Sequence, residues 1–142
     1  MRILQLIVVA AVLYYGYQKW HSHKILAEAM ATADASSSGF ISVAMPDGAS
    51  ANQVLIFAPL NCPSEAAQRA DALAAKLNQK GISNTRSAHF QLSFTNPTDV
   101  EQASVVRTGE VMKGEIPAVF INGRGKANPS LEEVVAEFKH YQ

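Results

Sequence analysis

The chain contains one cysteine and one tryptophan in 142 residues, and its twelve basic side chains are balanced by twelve acidic ones. One thiol cannot close an intramolecular disulfide, nor build a cysteine-rich zinc or iron–sulfur site, so disulfide scaffolds and zinc modules are excluded. Zero formal net charge leaves no broad basic footprint for displacing counterions from phosphate, and no local basic cluster replaces it. No nucleic-acid partner is expected. A glycine-rich phosphate loop, a Ser-His-Asp order and a carboxylate pair are likewise missing. His21 and His23 have no further ligands beside them and read as polar groups rather than a metal site, and no metal is expected.

Charge is scarcest at the start. Residues 1–24 carry Arg2, Lys19 and Lys24 but no acid, which leaves nine bases against twelve acids beyond them. The run between Arg2 and Lys19 is uncharged and rich in Ile3, Leu4, Leu6, Ile7, Val8, Val9, Val12 and Leu13, with Tyr14, Tyr17 and Trp20 gathered at its far end. At about 1.5 Å per residue, Ile3 to Trp20 covers roughly 27 Å, near the hydrocarbon thickness of a bilayer. Residues 1–24 are therefore expected to be a transmembrane anchor, with a buried core helix and a cleavable signal peptide as alternatives. The signal-anchor layout favours a single-pass protein of the bacterial inner membrane with its body in the periplasm, and a lipid bilayer as partner.

Residues 25–50 shift to Ala, Ser, Gly and Met and read as a partly helical tether. The compact domain is expected over 51–142, long enough for a small two-layer α/β unit. Val54–Ala58 is a short apolar run of the kind buried on both faces of a sheet. Ala66, Ala67, Ala70, Leu73, Ala74 and Leu77 then recur at helical spacing over 63–80, and Gly81 stops the helix. A second strand is expected over Thr85–Phe94, ended by Asn96-Pro97. Thr98 with Glu101 forms a capping box opening a helix to about Lys113. Ala118–Ile121 is a third strand, Asn122-Gly123 a two-residue hairpin turn and Arg124–Ala127 a fourth strand. Ser130 with Glu133 caps a last helix, whose apolar face includes Leu131, Val134, Val135, Phe138 and Tyr141. The order is βαβαββα, which implies a mixed four-stranded sheet with helices on both faces.

Cys62-Pro63 at the first strand-to-helix junction, together with Ile116-Pro117 at the head of IPAVFING, resembles the thioredoxin-fold superfamily, and the glutaredoxins most of all. The resemblance covers about Gln53 to Tyr141. It implies a thioredoxin-like fold, Cys62 as nucleophile and Pro117 as a cis-proline facing it. It also implies substrate contacts at Pro63, Ile116 and Ser130, with glutathione as a co-substrate rather than a required cofactor. Dithiol members of the family carry a second cysteine where this chain has Glu65, so only monothiol chemistry can be carried over. A carboxylate at Glu65 works against a thiolate, whereas the helix N-terminus works for it. The Gly-Gly segment that glutaredoxins place before the last helix is replaced by Gly125-Lys126-Ala127-Asn128-Pro129.

Two functions follow as expectations. One is an anchored, non-catalytic module that docks another membrane or envelope protein as an accessory subunit. The other is a monothiol thiol-disulfide oxidoreductase using Cys62.

Overall fold

Two neighbouring antiparallel strands, buried on both faces, organise the fold. The computed structural model describes residues 1–94, 96 and 98–142. Its elements run α1 (Arg2–Ala31), β1 (Ile41–Ser42), β2 (Val54–Phe57), α2 (Glu65–Gln79), β3 (Asn84–Ser87), α3 (Asp99–Lys113), β4 (Ala118–Ile121), β5 (Arg124–Ala127) and α4 (Leu131–His140). The strands form one mixed sheet in the order β1-β5-β4-β2-β3, with β2 and β3 parallel and every other neighbouring pair antiparallel.

β2 and β4 are the central strands, and each is buried along its whole length. Because side chains alternate across a strand, each supplies both layers. Val54, Ile56, Val119 and Ile121 meet Leu73 and Leu77 of α2 and Val134 and Phe138 of α4 on one face. Leu55, Phe57, Ala118 and Phe120 meet Val111 of α3 on the other. Asn122 and Gly123 turn the β4–β5 hairpin with positive φ at both positions, which is the geometry that matches strand twist. Thr98 and Ser130 each close a complete capping box.

The expected membrane span is corrected. Among the described residues no helix is long and apolar enough to cross a membrane. The stretch free of polar groups is only Leu6–Leu13, about 12 Å of helix, less than half of a hydrocarbon core. Gln5 interrupts it on one side. On the other, Tyr14, Tyr15, Gly16, Tyr17, Gln18 and Lys19 dilute it within two turns. The anchor assigned to Ile3, Leu4, Leu6, Ile7, Val8, Val9, Val12, Leu13, Tyr14, Tyr17 and Trp20 is withdrawn. The single-pass inner-membrane location, the periplasmic placement and the bilayer partner drawn from it are withdrawn as well.

The fold class is corrected in a second respect: this is an α/β unit of four helices and a five-stranded mixed sheet, not the four-stranded thioredoxin-like unit expected behind a span. The fifth strand comes from the segment read as a tether. Ile41 and Ser42 pair with Gly125 and Arg124 of β5, and Phe40 beside them is fully buried in the α2/α4 layer. Ala29, near the C-terminal end of α1, is also buried. There Arg107 of α3 donates to Ala29 O (2.9 Å), Thr32 Oγ1 (3.3 Å) and Ser42 O (2.5 Å). A buried guanidinium thus joins the Ala29 carbonyl, left free where α1 ends, to the Ser42 carbonyl of β1. On the opposite side Arg124 pairs with Asp34 Oδ2 (2.5 Å), and Ser36 Oγ donates to the buried Glu137 Oε2 (2.5 Å). Residues 29–43 are in this way tied to α3, β5 and α4.

β3 ends at Ser87, earlier than the strand expected to reach Phe94. The Ser87 hydroxyl bonds both the N–H (3.1 Å) and the carbonyl (2.9 Å) of His89, turning the chain out of the sheet. Phe90 instead packs edge-on against Phe57, with ring centres 5.1 Å apart. Of the expected Asn96-Pro97 break, Pro97 lies outside the described residues.

Candidate functional site

The loop from β2 to α2 is built to project Cys62. Pro59 cannot extend the ladder, and Asn61 adopts φ +52°, a left-handed conformation that asparagine tolerates better than most residues. Ser64 is the N-cap, so α2 begins at Glu65 rather than at Pro63, and the Ser64 hydroxyl accepts from Ala67 N–H (3.3 Å). Two further bonds steady the loop. Gln68 Nε2 donates to Pro63 O (2.9 Å), and Arg86 Nη2 donates to Pro59 O (3.4 Å) while Arg86 Nε and Nη2 hold Asp71 Oδ1 on α2.

Cys62 is half-buried and is a free thiol; Pro63 is exposed. The Ser64 hydroxyl and then the Ser64 backbone N–H hold the Cys62 thiol below the range of an ordinary cysteine, against a smaller opposing effect of burial. Cys62 lies just ahead of the N-cap Ser64, where the positive end of α2 favours a thiolate. Glu65 is exposed in the first turn, and the cap is made by Ser64 in its place. The sequence left this competition open; Ser64 went unremarked because the helix was read as starting one residue before it.

The segment ahead of β4 forms a second group. The Ile116–Pro117 peptide bond is cis, and Pro117 is fully buried. Pro117 O accepts from Asn128 N–H (2.7 Å), and Ile116 O accepts from Arg69 Nη2 (3.0 Å) on α2. Beside these bonds lies a cleft of about 390 Å³ lined by Arg69, Ala72, Leu73, Lys76, Pro117, Asn128, Pro129, Ser130 and Leu131. Pro117 and Ser130 therefore share one wall-to-wall space. Ile116 meets it through the carbonyl held by Arg69, and Cys62 and Pro63 stand at the head of α2 outside that lining.

Ser130 is occupied by its own helix. Its N–H donates to Glu133 Oε2 (2.9 Å) and its hydroxyl accepts from Glu133 N–H (3.2 Å). Lys126 Nζ bonds the other oxygen of Glu133 at 2.7 Å, and lowers the Glu133 pKa below the ordinary carboxylate range, with the Ser130 N–H contributing next. Arg107, Lys113 and Arg124 have internal duties: Arg107 and Arg124 bind residues 29–43, and Lys113 pairs with Glu110 at 2.8 Å. Arg69 and Lys76, which do face the cleft, were not singled out from sequence. Their only sequence signal is that 69, 72, 73 and 76 share one side of α2.

No family model, no curated protein and no solved structure matches the chain. The functional reading therefore stands on the residues themselves.

Proposed function

We propose that the protein is a monothiol thiol-disulfide exchanger with Cys62 as its nucleophile, related to the glutaredoxins it resembles. The observation that carries this reading is the place of the free, half-buried Cys62 thiol, two residues ahead of the N-cap Ser64 at the start of α2, a position at which its pKa is lowered. The thiolate is the attacking species in exchange, so a lowered pKa raises its share at neutral pH.

In the first step the Cys62 thiolate attacks one sulfur of a disulfide. That S–S bond breaks, a new bond joins Cys62 to the attacked sulfur, and the leaving thiolate takes a proton from solvent. Glu65 occupies the place where a second cysteine would resolve the adduct internally, so an external thiol is needed. Glutathione, as thiolate, then attacks the adduct, forms the product disulfide and returns Cys62 as thiolate. The net change exchanges one thiol of the disulfide for glutathione with no oxidation or reduction overall.

The docking-subunit reading, favoured by the missing second cysteine and Gly-Gly segment, also called for a membrane anchor, and α1 is not long and apolar enough to cross a membrane. The test is exchange with bis(2-hydroxyethyl) disulfide and glutathione on the full chain. Wild type should exceed the uncatalysed rate, and Cys62→Ser should fall to it. Equal rates for the two proteins would refute the reading.

A further inference from the structure

Only the last turns of α1 belong to the folded body. Leu26 is half-buried and Ala29 buried, with Ala29 O held by Arg107, whereas residues 3–25 are exposed throughout. The twelve large apolar side chains from Ile3 to Trp20 are each 55–75% exposed. On the order of 1,500 Å² of their surface is open, where each partner of a standard interface covers about 800 Å² and a monomer's largest apolar patch is about 300–600 Å². A helix this apolar on every side needs cover. A bilayer crossed by the helix is not that cover, because no described helix is long and apolar enough to cross a membrane. Nor does α1 have the one-sided pattern of a helix lying in a membrane surface: Leu6, Ile7, Val8 and Val9 point in four successive directions, and each is at least 55% exposed.

The sequence of α1 also singles out one seam for the helix of a second copy. Helices that wind around each other touch at positions alternately three and four residues apart. Of the seven ways to lay that repeat over residues 3–23, only Ile3, Leu6, Ala10, Leu13, Tyr17 and Trp20 meets no glutamine, glycine, histidine or charge. In this phase Gln5, Gln18 and Lys19 fall on the outer side. The next seam position is Lys24, where α1 reaches the body and the apolar seam ends. We infer that α1 pairs with α1 of a second copy of this chain through that seam, so that the protein self-associates by its first helix and leaves the α/β body free on the outside.

The experiment is sedimentation of the full chain under reducing conditions, which keep a Cys62 disulfide between copies from being mistaken for association. Wild type is compared with two double variants. Leu6→Glu with Leu13→Glu places charge in the seam, and Val8→Glu with Tyr15→Glu places the same charge at the same spacing on the outer side. All four side chains are exposed and glutamate is a good helix former, so neither variant disturbs the body, which circular dichroism verifies. Wild type should be a discrete oligomer at about 10 µM, a dimer in the simplest case. The seam variant should dissociate about a hundredfold more readily or beyond, and the outer variant should stay within about threefold of wild type. A monomeric wild type, whether free or floating with phosphatidylcholine vesicles, would overturn the inference. A polydisperse aggregate, or equal weakening by the two variants, would overturn it too.

Discussion

Replacing Phe40 with alanine tests whether the segment before β2 belongs to the folded unit. Phe40 is fully buried and packs with Val54, Ile56, Leu73, Leu77, Ile121 and Phe138. Truncating a buried phenylalanine costs about 3–5 kcal/mol, the transfer of the ring plus the cavity it leaves. Against a total stability of about 5–15 kcal/mol, that is about a fifth or more of the margin for a domain this size. With an unfolding entropy near 2.1 cal/mol/K per residue, the same loss lowers Tm by about 10–17 °C. The assay is urea unfolding of the full chain followed by circular dichroism, with Phe94→Ala as the comparison. Phe94 is 43% exposed, and its truncation should cost less than about 1 kcal/mol. A cost below about 1 kcal/mol for Phe40→Ala would show that residues 29–43 hang outside the core and would refute the packing account.

Three further outcomes are expected. Ser64→Ala removes the principal group lowering the Cys62 pKa, so the exchange-rate profile should move to higher pH and the rate at pH 7 should fall; an unmoved profile would exclude the hydroxyl. Arg107→Met removes the donor to the Ser42 carbonyl and leaves the Ala29 carbonyl with the Thr32 hydroxyl alone, which should cost about 2–4 kcal/mol and speed amide exchange at the end of α1; protection equal to wild type would contradict this role of Arg107. The folded pKa of Glu133 lies below its unfolded value, so its contribution is present above the ordinary carboxylate range and is lost as pH falls through the folded value. Glu133→Gln should therefore flatten the acid limb of the stability curve, and a limb as steep as that of wild type would oppose this.

Local signals in the sequence were readable where the chemistry is local. The capping boxes at Thr98 and Ser130, the Asn122-Gly123 hairpin and the apolar runs of β2 and β4 each declare themselves within a few residues. β1 does not, because two residues carry no periodicity and Ile41 and Ser42 become a strand only through β5. The apolar start misled for a related reason. Its hydrophobicity was summed across tyrosines, Gly16 and glutamines, although a span depends on the length of the unbroken run. Within the site, Cys62 and Pro117 stood out by their neighbours in sequence. Arg69 did not, since its significance lies in a carbonyl 47 residues away. Ser64 was legible in principle as a hydroxyl immediately before Glu65 and a run of alanines, the usual signature of an N-cap.

The central claim is that Cys62 is held toward its thiolate by the start of α2, and the most direct measurement is its alkylation rate by iodoacetamide as a function of pH in the full chain. The account predicts a titration midpoint below that of a free cysteine in the urea-unfolded protein and faster labelling than the unfolded thiol at neutral pH. A folded-state midpoint at or above the unfolded one, with slower labelling, would contradict it.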